Sequence, residues 1–232
     1  MCSSDLVYSN EVDMDKAAKA LPAGSIVRVT DAGGATLGLA AFNPHSLICA
    51  RFLTRDPAEA IDTAFFARRI RRALEIRERL YDRPFYRLIH AESDGLPALI
   101  IDRYGDIVVV QANNVAMDRR LPMILAALDE VLNPSAVVLR NDSTARSYEG
   151  LDEVVKVVKG SVQGLIPLEE NGATFFADLS EGQKTGWFFD QRDNRSFIAD
   201  LCKGRSVVDF YTYAGGFGVL AAKIGRASCR ER

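Results

Sequence analysis

The sequence predicts a multidomain chain of α+β and α/β class: a small β-barrel, an α+β middle domain and the start of a doubly wound parallel sheet. Three observations carry this. Residues 24–55 hold short β-branched runs separated by the turn signals Asp31-Ala32-Gly33-Gly34 and Asn43-Pro44, the pattern of a small barrel. Residues 83–180 alternate strand and helix signals with no internal repeat or low-complexity linker. Residues 192–218 read as helix, short apolar strand, glycine-rich turn and new helix, which is how a doubly wound sheet opens.

The elements follow in order. Ser25-Ile26-Val27-Arg28-Val29-Thr30 alternates and is β-branched, residues 36–42 resume a strand, and residues 47–53 add another. Asp56-Pro57 opens a helix. Ile61, Phe65, Ile70, Leu74 and Ile76 recur along it at roughly helical spacing to about Tyr81, and Pro84 ends it. Strands at residues 98–102 and 107–111 flank the hairpin-like Arg103-Tyr104-Gly105-Asp106. Residues 121–132 are helical, and short strands follow at 136–140, 154–158, 166–168 and 173–177. Residues 192–201 form a helix capped near Asp190, residues 206–210 a short buried strand, and residues 219 onward a helix.

Bulk composition narrows the function classes. The 232 residues are 48% hydrophobic, enough for a substantial core. Lys and Arg total 29 against 31 Asp and Glu, a net charge of -2, which excludes a globally basic nucleic-acid binder but not a local basic face. No apolar run approaches the roughly 20 residues of a membrane span, so no membrane partner is expected. The N-terminus lacks a signal-peptide layout. Cys2, Cys49, Cys202 and Cys229 show no CxxC or Cys/His ligand spacing, so neither a disulfide framework nor a metal site is expected, and a cytoplasmic setting is. His45 and His90 are lone and read as structural.

The two ends read as foreign. Residues 224–232 can be encoded by ATC GGA AGA GCG TCG TGT AGG GAA AGA, and the head by TGC TCT TCC GAT CTN; both strings match sequencing-library adapters. The expected natural segment is then residues 7–223, cut soon after the last domain begins. An ordinary polar tail is the alternative.

Three constellations could carry chemistry. In residues 207–218, Asp209 ends a strand and Gly215-Gly216 follow six residues later. Glycines there admit a ligand close to backbone, and free amides at a helix start favour anionic groups. The GxGxxG of dinucleotide sites is absent, which disfavours a nucleotide-cofactor oxidoreductase. Asp209 would orient the turn or bind a cofactor amino group; a plain strand-to-helix turn is the competing reading. Residues 184–195, Lys-Thr-Gly-Trp-Phe-Phe-Asp-Gln-Arg-Asp-Asn-Arg, would wall a site, or else form a capped amphipathic helix with a solvated face. Arg51, Arg55, Arg68, Arg69, Arg71, Arg72, Arg77 and Arg79 suit phosphate contacts, or else pair with Asp62, Glu75 and Glu78 on a solvated helix face.

Together these segments resemble the bacterial large-subunit rRNA cytosine-C5 methyltransferases that carry an N-terminal PUA domain. Gly24 to Val27, Asn43-Pro44-His45-Ser46 and Arg51 look like the PUA domain. Ile61-Asp62 to Arg77 is similar to the connecting helix, and Glu92 to Pro97 with Asp102 to Gly105 to the middle domain. Lys184-Thr185-Gly186 with Asp190 to Arg195, and Asp209 to Phe217, resemble the two most specific stretches. The resemblance implies a PUA-like β-barrel at 7–56, a connecting helix at 57–82, an α+β middle domain at 83–180 and the start of a Rossmann-like methyltransferase domain at 181–223. It implies S-adenosyl-L-methionine as cofactor, held by Lys184, Thr185, Gln191, Arg192, Asp209, Tyr211, Ala214, Gly215, Gly216 and Phe217. It implies RNA, and rRNA first, as partner, with Arg28, Arg51, Arg55, Arg69 and Arg72 assigned to its binding.

The implied reaction adds a cysteine thiolate to C6 of a flipped-out cytosine, transfers the cofactor's methyl group to C5, and then removes the C5 proton as the thiolate is eliminated from C6. Uracil C5 stays open as a target. The acidic residue after the second strand, the later catalytic motif and the nucleophilic cysteine of the family are missing, and neither Cys49 nor Cys202 matches it. No catalytic residue is therefore assigned, and the fragment is expected to be inactive and at most a weak cofactor binder. The alternative is a non-catalytic PUA-type RNA-binding protein.

Overall fold

The computed structural model describes residues 5–182 and 185–224, and the backbone alone of residues 226–230. Residues 1–4 of the adapter-like head, and residues 225, 231 and 232 of the tail, lie outside the described residues.

The first unit is a four-stranded antiparallel sheet in the order β1-β4-β3-β2, built from β1 (Leu6–Tyr8), β2 (Ser25–Thr30), β3 (Thr36–Phe42) and β4 (Ile48–Thr54), with the short helix α1 (Lys16–Lys19) between β1 and β2. Strand alternation divides its side chains. Val27, Val29, Ala40, Phe42, Ala50 and Phe52 enclose a small core with Val7, whereas Ile26, Ala41 and Leu53 turn toward the main core. The small PUA-like barrel expected from sequence is built, among the described residues, on this four-stranded sheet. β1 is three residues long and pairs with β4 alone, so β1 and β2 remain edges.

Helix α2 (Thr63–Leu80) starts later than the Asp56-Pro57 signal suggests. Asp62 is the true cap, its Oδ1 accepting the Phe65 amide at 2.9 Å, while Asp56 closes a separate turn on Ala58. The helix buries Phe65, Phe66, Ile70 and Ala73 on a mixed five-stranded sheet. That sheet runs β5 (Phe85–His90), β6 (Leu99–Tyr104), β7 (Ile107–Ala112), β8 (Ala136–Asn141) and β9 (Val154–Lys159), in that order. Helices α3 (Val115–Arg119) and α4 (Leu121–Val131) cross over between β7 and β8, the one parallel pair of that sheet among the described residues. Leu99, Ile101, Val108 and Val110 face α2 and α4, while Tyr104, Val109 and Val138 face away from them. Each such fully buried side chain stabilises the fold by about 1.5–3 kcal/mol.

The far face of the sheet is covered by the C-terminal part of the chain. A hairpin joins β10 (Ile166–Glu170) to β11 (Ala173–Ala177) through Asn171-Gly172, both at positive φ (50° and 71°), as a two-residue type I′ turn requires. Leu168 and Phe175 of the hairpin pack with Trp187, Phe189, Ala199 and Leu220 against Tyr104, Val109 and Val138. Then come α5 (Arg192–Leu201), β12 (Ser206–Phe210), α6 (Gly216–Ile224) and β13 (Arg226–Arg230), which lies parallel to β12. β12 is not the buried strand expected from its apolar residues: Val208 and Phe210 are 57% and 63% exposed. No side chain caps α5, whose first turn continues a 3-10 turn at Phe189–Gln191, so Asp190 is free of the capping role expected for it.

Candidate functional site

The segment after β12 folds back sharply. Tyr211 and Tyr213 take positive φ (60° and 49°), as does Gly215 (73°). Non-glycine residues held there cost about 1–3 kcal/mol each, which surrounding contacts must offset. The Gly215 amide donates to the Thr212 carbonyl at 2.8 Å, and Asp209 Oδ2 accepts the Gly218 amide at 2.8 Å. Asp209 therefore orients the turn and caps the first turn of α6.

This turn and the segment ahead of α5 enclose a cleft of about 530 Å³. Six aromatics line it: Trp187, Phe188, Phe210, Tyr211, Tyr213 and Phe217. Asp190, Gln191, Arg195 and Asp209 are its charged and amide groups. Phe188 and Tyr213 meet edge to face, 6.1 Å between ring centres. Gln191 Nε2 donates to Asp190 Oδ2 at 3.3 Å. Aromatic faces beside carboxylates suit a ligand that is aromatic at one end and cationic at another.

The rear wall is anchored from the hairpin. Glu170 on β10 is fully buried; its carboxylate accepts from Trp187 Nε1 at 3.0 Å and Arg195 Nη1 at 2.5 Å. Arg195 lies 4.3 Å over the Trp187 ring and donates from Nη2 to the Phe188 carbonyl at 2.8 Å. Gly216 must lack a side chain, because a Cβ there would sit 2.6 Å from Arg195 Nε and 3.1 Å from the Trp187 ring.

The structure gathers Gln191, Asp209, Tyr211, Ala214, Gly216 and Phe217 at the cleft, with Gly215 in the same turn. Two other candidates point elsewhere. Thr185 is buried, its hydroxyl donating to Asp102 Oδ2 at 2.6 Å and its carbonyl accepting from the Tyr104 hydroxyl at 3.0 Å. Arg192 reaches the Phe85 carbonyl and stacks 4.3 Å over the Tyr81 ring, tying α5 to β5. Lys184 lies outside the described residues.

Beneath the cleft, Asp102 makes a two-point contact with Arg87 at 2.9 and 3.1 Å. Burial alone would lower the Arg87 pKa; the hydrogen bond and charge of Asp102, with the charge of Asp190, outweigh it and hold Arg87 above its ordinary value. Burial, helped by the Asp102 charge, pushes the Tyr104 hydroxyl well above its usual range.

The five arginines assigned to RNA divide. Arg51 pairs with Glu92 at 2.8 Å, Arg55 with Asp5 at 2.8 Å, and Arg69 donates to the Leu53 carbonyl at 2.6 Å. Arg51 thereby ties the first sheet to the turn after β5, and Arg69 ties it to α2. Burial lowers the Arg69 pKa. Arg28 and Arg72 are exposed and make no ion pair among the described residues.

Sequence reasoning missed Glu170 and Asp102. Both had a signal: Ile166, Leu168 and Glu170 share one strand face, as do Asp102 and Tyr104, so each acid falls on an otherwise apolar face. Among the described residues no His/Cys/Asp/Glu group is placed to hold a metal, and no helix is long and apolar enough to cross a membrane.

Comparison with known proteins gives two family matches. Residues 5–55 match the PUA-like domain family, and residues 144–230 match the S-adenosylmethionine-dependent methyltransferase family. The chain is 41% identical over 226 residues to ribosomal RNA large subunit methyltransferase I of Shewanella denitrificans, covering 96% of this chain and 57% of that protein. It is 36% identical over 202 residues to the protein of that name from Shigella boydii, covering 85% of this chain and 51% of the other. The chain thus spans little more than half the length of these relatives. Among solved structures, a putative SAM-dependent methyltransferase from Streptococcus mutans superposes with a TM-score of 0.79 at 20% identity, over 98% of this chain and 58% of that one. A putative methyltransferase complexed with SAH gives 0.81 at 19% identity, over 99% and 58%. The chain therefore carries an N-terminal PUA-like domain and the Rossmann-like fold of the methyltransferases whose cofactor is S-adenosylmethionine.

Proposed function

We propose that the chain belongs to an RNA methyltransferase that binds S-adenosylmethionine in the cleft between residues 187–195 and 209–217, and that methylates C5 of a cytosine in large-subunit rRNA. The observation that carries this is the cleft itself. It lies at the carboxyl end of β12, where a doubly wound sheet receives its ligand, and the bare backbone of Gly216 forms part of its wall. Six aromatic rings and two carboxylates fit an adenine ring and a cationic sulfonium. When bound, the cofactor supplies the methyl group. The chain's own residues hold it: Asp209 fixes the turn, and Trp187 and Phe217 flank the cavity. Arg28 and Arg72 are the arginines of the assigned set left to meet RNA phosphates.

Cytosine C5 is a weak nucleophile, and a thiolate added at C6 gives it the electron density it needs. Neither described cysteine serves. Cys49 is buried in the first sheet, its thiol donating to the Val7 carbonyl at 3.5 Å, and burial raises its pKa. Cys202 is buried at the far end of α5, about 10 Å along the helix from Arg195. On this reading the 232-residue chain alone is inactive and at most a weak cofactor binder. The reading is tested by mass mapping large-subunit rRNA from a strain lacking the gene, with and without the gene restored. One 5-methylcytidine should return; an unchanged pattern would overturn it.

A further inference from the structure

We propose that Glu170, which lies outside the cleft on the β10–β11 hairpin, is a positioning residue for cofactor binding, acting through Arg195 and Trp187 on the Gly216 turn. The inference rests on the cleft being the cofactor site. Glu170 is 2% exposed and holds two residues that line the cleft, Arg195 through Oε1 and Trp187 through Oε2, while Oε2 also pairs with Arg192 Nε at 3.4 Å. An isolated carboxylate at such a depth would be strongly unfavourable, so the pair is a fixed unit and not a mobile surface contact.

Arg195 transmits the constraint. Its Nη1 belongs to Glu170 and its Nη2 to the Phe188 carbonyl, while its plane lies 4.3 Å over Trp187 and 5.7 Å from the Phe217 ring centre. Its Nε is buried without a hydrogen-bond partner and faces the backbone of Gly216. A buried donor left unmatched is held there by its other contacts. The guanidinium thus occupies the space that the missing Gly216 side chain leaves, and its position sets how far the turn can advance into the cleft. Trp187 is held on its other side by Phe175 of β11, ring centres 4.7 Å apart. The hairpin therefore fixes both the ring and the cation of the rear wall.

The test uses the full 232-residue chain, with S-adenosylhomocysteine as probe. Trp187 is the chain's one tryptophan and lines the cleft, so its emission reports occupancy, and calorimetry gives the affinity. Glu170→Gln keeps the shape of the side chain and its hydrogen bond to Trp187 but removes the ion pair. It should weaken probe binding about tenfold, the order of coupling between charged neighbours. Because it removes the carboxylate partner of both Arg195 and Arg192 and could unfold the chain, the paired variant Glu170→Gln with Arg195→Met is made beside it, in which Arg192 keeps the Phe85 carbonyl and the Tyr81 ring. Removing both charges of a buried pair commonly leaves stability near the wild type. If Glu170 positions the site, the paired variant melts like the wild type yet binds about tenfold more weakly, with altered Trp187 emission. Wild-type affinity in the folded paired variant would overturn the proposal. No binding by the wild-type chain would instead overturn the cleft reading, and this inference with it.

Discussion

Asp209 and Gly218 close the glycine-rich turn on itself: the carboxylate at the end of β12 accepts an amide hydrogen from the first turn of α6 at 2.8 Å. The bond satisfies a helix-start amide and spans a segment with two tyrosines at positive φ. Asp209→Ala should therefore cost about 1 kcal/mol of stability and weaken S-adenosylhomocysteine binding more than the stability loss explains. Urea denaturation and calorimetry on the same variant separate the two effects. Unchanged binding would show that the turn keeps its shape without the carboxylate.

The Arg87–Asp102 pair is fully buried on the acid side. Arg87→Met leaves the Asp102 charge uncompensated, with the Thr185 hydroxyl still donating to it. About 3 kcal/mol of stability should be lost, read as a lower urea midpoint. Asp102→Asn should do less harm, since Asn still accepts from Thr185.

Asp178 gives the fold an acid sensitivity of known sign. The amides of Glu181 and Ser180 hold its carboxylate below the usual range. A depressed carboxylate stabilises the folded chain fully above its unfolded pKa of about 4, and that contribution fades as pH falls through the folded value. The difference in melting temperature between wild type and Asp178→Ala should therefore be constant from about pH 6 to 7 and shrink as pH drops below about 4. A difference that grows on acidification would contradict the assignment.

Much of this architecture is legible in the residues themselves. Alternation in Ser25–Thr30 and Thr36–Phe42, and the turn signal between them, specify two strands whose bounds match the structure. The strand, turn and helix from Ser206 to Gly216 are equally local, and most of the residues assigned to the cofactor meet at one cleft because they share that turn. What was not legible depends on contacts distant in sequence. Thr185 reads as a site residue from its neighbours, yet its hydroxyl is taken by Asp102, which lies 83 residues earlier. Arg51 reads as a phosphate ligand until Glu92 is brought beside it. Glu170 carries no motif at all, and it matters only because an Asn-Gly turn and a strand register place it under Arg195.

The cleft between Trp187 and Phe217 is the site proposed to hold S-adenosylmethionine. Ultraviolet cross-linking of radiolabelled S-adenosylmethionine to the chain, followed by peptide mapping, tests it most directly. Label confined to peptides spanning residues 187–195 or 209–217, and competed away by S-adenosylhomocysteine, is the expected result. Competed label on the first sheet or on α2, with none at the cleft, would contradict it.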